Sequence, residues 1–210
     1  MLVLGVVVVI IVVTVGHCTR FHSLRLGRRI IVRSGAMRTT AQRLANGIDR
    51  VTAAVGRAAM WCCLYIVVVE FAIVVMRYAF GVGSIKLLES VLYAHAALFM
   101  LAAAWTLQAG GHVRVDIFYA QASARKRAAI DLAGALVFLF PFVIALVVLS
   151  VPYVARSWDI LERSRETSGL PFVYLLKTLI PIFALLVGLQ GVAQAIRAAL
   201  VLSGPRETPR

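Results

Sequence analysis

Residues 132–155 read LAGALVFLFPFVIALVVLSVPYVA, a run of 24 residues without a formal charge between Asp131 and Arg156. As a helix at about 1.5 Å rise per residue it is about 36 Å long, enough to cross a hydrocarbon core of about 30 Å. The rest of the chain has the same character. Hydrophobic residues make up 61% of the 210 positions and charged residues 15%, and the mean hydropathy is +0.92. A soluble fold of this length needs more polar surface to cover its core.

The other apolar blocks have membrane-spanning length too. They place spans at 58–80, 88–108, 128–155 and 173–200, within a membrane domain covering 58–203. Trp61 and Tyr78 sit near the two ends of the first span, where interfacial aromatic residues are expected. Gly81-Val82-Gly83-Ser84 breaks it, and Gly110-Gly111 ends the second. Ser123 is a candidate N-cap for the third helix, its hydroxyl accepting an otherwise unpaired backbone N–H. Pro141 and Pro181 predict kinks in the third and fourth spans, tolerated where neighbours satisfy the freed carbonyl. Gly188 and Gly191 offer a flat patch for close helix approach. Residues 204–210 read as a disordered tail. The fold class expected is an all-α integral membrane protein with four transmembrane helices.

Two segments precede the first of these spans. Residues 37–57 place Leu44, Ile48, Val51 and Val55 on one helical face, and Arg43, Arg50 and Arg57 form a basic stripe every seven residues. An amphipathic helix of this kind lies in the interface against anionic membrane lipid, or leads straight into the next span. Residues 1–36 form an N-terminal extension of a different kind, a valine-rich run (MLVLGVVVVIIVVTVG) followed by a basic segment. It lacks the charge order and cleavage site of a secretory signal. Two readings stand open: an extra helix, or a stretch outside the working protein, with translation starting at Met37.

The net charge is +13, and nine of the 22 Lys and Arg residues lie between Arg20 and Arg57. In a soluble chain this would suggest nucleic acid. Beside apolar spans it marks the cytoplasmic side instead, and no nucleic-acid partner is expected. The 109–131 connection also carries basic excess, whereas 81–89 and 156–172 balance. That alternation predicts four spans with both termini cytoplasmic. Three cysteines make neither a disulfide framework nor a metal site.

No phosphate loop, metalloprotease motif, nucleophile elbow or carboxylate cluster is present, so neither catalysis nor a cofactor is expected. The informative residues are polar groups at membrane depth, each costly unless paired or functional. Glu70 and Arg77 share a face and are candidates for a contact with another helix or subunit; the bland alternative has Arg77 snorkelling to the interface. Glu89 opens the second span, where a helix dipole alone favours an acid. His112, Arg114 and Asp116 alternate with valines at a membrane boundary, a pattern that suits a docking surface and a stop-transfer loop equally. His95 lies inside a span and reads as a hydrogen-bonded interior residue rather than a haem ligand.

Glu89 and the segments ALFMLAAAWTLQAGGHVRVDIFY (97–119), SARKRAAIDLAG (123–134), YVARSWDILERSRETSGLP (153–171) and LLKTLIPIFALLVGLQG (175–191) follow one another in an order and spacing that resembles the small membrane subunit of tripartite ATP-independent periplasmic (TRAP) transporters, the DctQ type. The likeness covers about 39–200; residues 1–36 depart from it. The resemblance implies four helices with cytoplasmic termini in a bacterial inner membrane. It also implies association with a large permease subunit that carries the substrate and Na⁺ sites, and with a periplasmic solute-binding protein that delivers an organic acid such as a dicarboxylate. The small subunit is then a non-catalytic scaffold. Glu89, His112, Arg114 and Asp116 become structural or inter-subunit contacts, and 156–172 a docking surface. The alternatives are a haem-binding membrane anchor of an oxidoreductase, which needs two facing intramembrane histidines, and a small independent transporter, which needs repeated, broken spans around a midplane site.

Overall fold

The computed structural model describes residues 36–111 and 122–204. Among these residues five α-helices follow in order: α1 (Ala36–Phe80), α2 (Ile85–Gln108), α3 (Ala124–Gly134), α4 (Phe140–Asp159) and α5 (Val173–Leu202). A π-helical turn, Ala135–Leu139, joins α3 to α4. There is no strand among the described residues. Among the described residues, four stretches are long and apolar enough to cross a membrane: Thr40–Phe80, Ile85–Gln108, Ala124–Asp159 and Val173–Leu202. The chain is a multi-pass, all-α membrane protein, as its hydropathy requires. The extension 1–36 lies outside the described residues apart from Ala36.

The amphipathic segment and the first span are parts of one helix. α1 runs 45 residues without a break, so its basic stripe continues directly into the apolar stretch. Gly110 ends α2 with φ +69°. The Gly110 N–H donates to Leu107 O and the Gly111 N–H to Thr106 O, at 3.1 and 3.0 Å, the paired bonds of a Schellman cap. Gly81, φ +65°, follows the last residue of α1. Ser123 caps α3, accepting the Lys126 N–H at 3.3 Å, and Ser84 caps α2 in the same way.

The expected break at Pro141 takes the form of the π-helical turn immediately before it. Pro141 has no N–H, and its ring crowds the carbonyl four residues back. A wider turn absorbs that misfit; the Phe140 N–H reaches Ala135 O, five residues back. Pro152 and Pro181 are accommodated inside continuous helices.

α5 is the hub. It packs against α1, α2, α3, α4 and the π turn, and α1 packs against α2. In the most apolar stretch of each span, 39% of α5 is buried, against 6%, 6% and 11% for the other three. Small residues make the close approaches, as expected where lipid supplies no hydrophobic drive between helices. Ala45, Ala53, Ala59, Ala104, Ala184 and Ala193 are all buried. A Cβ on Gly56 would stand 2.7 Å from the Cβ of Trp105, so α1 and α2 touch backbone to ring. A Cβ on Gly191 would stand 2.5 Å from Leu139 Cδ2, and one on Gly188 3.0 Å from Val143 Cγ1. The two α5 glycines therefore face the π turn and α4.

Candidate functional site

Polar side chains gather at the two ends of the bundle. At one end, α1 supplies Asp49 and Thr52, α2 supplies Gln108, and α5 supplies Gln190, Gln194 and Arg197. The Arg197 guanidinium pairs with Asp49 Oδ2 and also donates to the Ala45 carbonyl at 3.3 Å. Gln190 is fully buried; its amide donates to Asp49 Oδ1 at 3.1 Å, and its Oε1 accepts from Thr52 Oγ1 at 3.0 Å. Gln194 Nε2 donates to Leu107 O at 2.8 Å. The partners matter because an unpaired polar group in a desolvated interface costs more than a made hydrogen bond gains. Beside them a hollow of about 300 Å³ is lined by Asn46, Asp49, Arg50, Ala53, Arg57 and Gln108.

At the other end, Glu89 in the first turns of α2 grips the 160–172 loop. Its Oε1 accepts from Ser164 Oγ and its Oε2 from the Leu170 N–H. Gly169 lies against this clamp; a Cβ there would stand 2.3 Å from Ser164 Oγ and 2.8 Å from Glu89 Oε1. Nearby, Glu162 accepts from Lys177 Nζ and, at 2.7 Å, from Ser157 Oγ. The Lys177 ammonium beside it, with the Ser157 hydroxyl, holds the Glu162 carboxyl below its usual range. Lys177 also sits over the Tyr153 ring, 4.1 Å from its centroid, and Trp158 Nε1 donates to Thr178 Oγ1 at 2.9 Å.

Glu89 is thus bonded within the chain, on top of any gain from the helix dipole. Glu70 is half-buried in α1 and makes no hydrogen bond or ion pair among the described residues. Arg77, exposed in the last turn of α1, does not pair with it. His95, expected in the interior, is exposed on α2: its face of the helix turns away from the bundle. His112, Arg114 and Asp116 lie outside the described residues. No three His, Cys, Asp or Glu side chains converge as metal ligands among the described residues.

Sequence reasoning passed over Asp49, Gln190, Gln194 and Arg197 as a group. A signal was available. Gln190 is an amide in the middle of an apolar span, and Asp49 is the lone acid of a basic segment. The rule that polar groups at membrane depth need partners points to both.

No curated protein and no solved structure matches the chain. A family model for the DctQ component of tripartite ATP-independent periplasmic transporters matches residues 66–200, more than half of its length. That stretch runs from the last third of α1 through α2, the clamp loop and nearly all of α5. The chain belongs to the DctQ family and is a small membrane subunit of a TRAP transporter.

Proposed function

We propose that this chain is the non-catalytic scaffold that braces the large permease subunit during ion-coupled uptake of organic acids, dicarboxylates among them, delivered by a periplasmic binding protein. The observation that carries this reading is Glu70. It is a carboxyl within an apolar helix, half-buried, with no partner among the described residues, and such a group is costly in a bilayer unless another chain meets it. α2 also presents an apolar outer face, with Phe99 68% exposed. Asp49, Gln190 and Arg197 are engaged in ties across the bundle.

The basic excess of α1 and of the 109–131 connection supports a cytoplasmic location for the Asp49–Arg197 end, with the clamp loop outside the inner membrane. In that orientation the 160–172 loop is the surface offered to the binding protein, and His112, Arg114 and Asp116 are contacts on the cytoplasmic side. Whole-cell uptake together with recovery of the complex tests the scaffold role. Glu70→Ala and Arg114→Glu are expected to lower the yield of large subunit bound to this chain and to lower uptake in proportion. Normal assembly and uptake in both variants would remove these residues from the interface.

A further inference from the structure

The hollow beside Asp49 holds donors that the described fold does not use. Arg50 and Arg57 line it, two turns apart on α1 and about 10 Å along the axis; Asn46 and the half-buried Gln108 complete the rim. Neither arginine has a carboxylate partner among the described residues. The carboxylate that does line the hollow, Asp49, is engaged by Arg197 and Gln190. The cavity therefore carries net positive charge and unspent N–H groups.

What lies next to it on the same face identifies the ligand. Arg50, Arg57, Trp61, Leu64 and Val68 follow at spacings of seven, four, three and four, which is one stripe of a helix. Beyond Arg57 the stripe turns apolar and stays open: Trp61 is 72% exposed, Leu64 55% and Val68 57%. A cationic hollow that passes directly into an exposed apolar stripe matches an amphiphile with an anionic head. A free anion would use only the upper part. We propose that this hollow is a binding site for the phosphate headgroup of an anionic phospholipid, held by Arg50 and Arg57 with Asn46 and Gln108 donating, its acyl chains lying along Trp61, Leu64 and Val68.

The site is independent of the scaffold reading, and its test uses the full chain alone. The delipidated protein is titrated in neutral detergent with phosphatidylglycerol, with phosphatidylcholine and with inorganic phosphate, and thermal unfolding is followed. Phosphatidylglycerol is expected to raise the melting temperature saturably, while the other two leave it nearly unchanged. R50Q/R57Q is expected to weaken the apparent affinity by about tenfold or more, taking about 1 kcal/mol per basic residue near an anionic lipid. R43Q, outside the hollow, keeps it. Equal protection by phosphatidylcholine or by phosphate overturns the assignment, as does an R43Q loss equal to that of the double variant. Should the double variant fail to fold, lipid carried through purification of the wild-type chain decides. Enrichment of anionic phospholipid over the parent membrane supports the site, and bulk composition contradicts it.

Discussion

Asp49 and Arg197, 148 residues apart in the chain, form an ion pair that ties the first membrane helix to the last. Gln190 reinforces it from one side and the Ala45 carbonyl from the other. The pair is only partly shielded, so its loss is felt mainly through what is left behind: a guanidinium without a counter-charge and a buried amide without an acceptor.

Asp49→Ala is therefore expected to destabilise the bundle by about 1–2 kcal/mol, less than the 3–5 kcal/mol of a fully buried pair. That corresponds to a melting-temperature drop of several degrees for a chain of this size. The swapped double variant Asp49→Arg/Arg197→Asp should recover part of the loss. A double variant no better than the sum of the singles would show that the pair does not interact.

The glycine contacts predict an order of tolerance. Gly56→Ala drives a methyl into the root of Trp105, at 2.7 Å from its Cβ and 2.8 Å from its Cγ, atoms that cannot move without the helix. It should cost about 2–3 kcal/mol. Gly191→Ala meets the tip of Leu139, which can rotate away, and should cost less than about 1 kcal/mol. Leu139→Ala added to Gly191→Ala should remove that clash. Thermal melts of the variants in detergent give the ranking directly.

The four spans were legible in the residue pattern, because length and apolarity fix a membrane helix almost by themselves. The Ser123 cap and the patch at Gly188 and Gly191 were legible for the same reason: each is a local rule. The partner of Asp49 was not, since 148 residues separate it from Arg197 and no periodicity reports on which helices meet. The central place of α5 is also a tertiary fact; its hydropathy does not exceed that of the third span. Glu89 looked like a helix-start acid because its partners, Ser164 and the Leu170 backbone, lie in a loop whose path the sequence does not reveal. At Pro141 the sequence announced a disturbance, while the form it takes depends on how α5 supports the turn.

The clamp at Glu89 should govern the mobility of the 160–172 loop. Gly169→Ala places a methyl on Ser164 and Glu89 and cannot keep both bonds. Amide exchange at Leu170, whose N–H is held by Glu89 Oε2, should quicken markedly in Gly169→Ala and in Glu89→Gln. Exchange in the α5 core around Ala184 and Val187 should stay slow. Unchanged exchange at Leu170 in both variants would mean that the loop is held by something else.

Glu162 adds a pH dependence whose sign follows from its lowered pKa. The carboxylate is favoured in the folded state, so its contribution is fully present above the ordinary glutamate value of 4.5 and is lost as pH falls through the lowered folded value. Melting temperature should decline on acidification below about pH 4.5 in the wild type. Glu162→Gln should flatten that part of the profile and leave the neutral plateau slightly lower. A variant profile that declines as steeply as the wild type would assign the acid sensitivity to other groups.

The scaffold role is tested most directly by purifying the tagged chain from its native membranes in mild detergent and identifying by mass spectrometry what comes with it. The account predicts a much larger polytopic permease in near-stoichiometric amount, reduced in Glu70→Ala. Recovery of the chain alone, or with a haem and a dehydrogenase subunit, would contradict it.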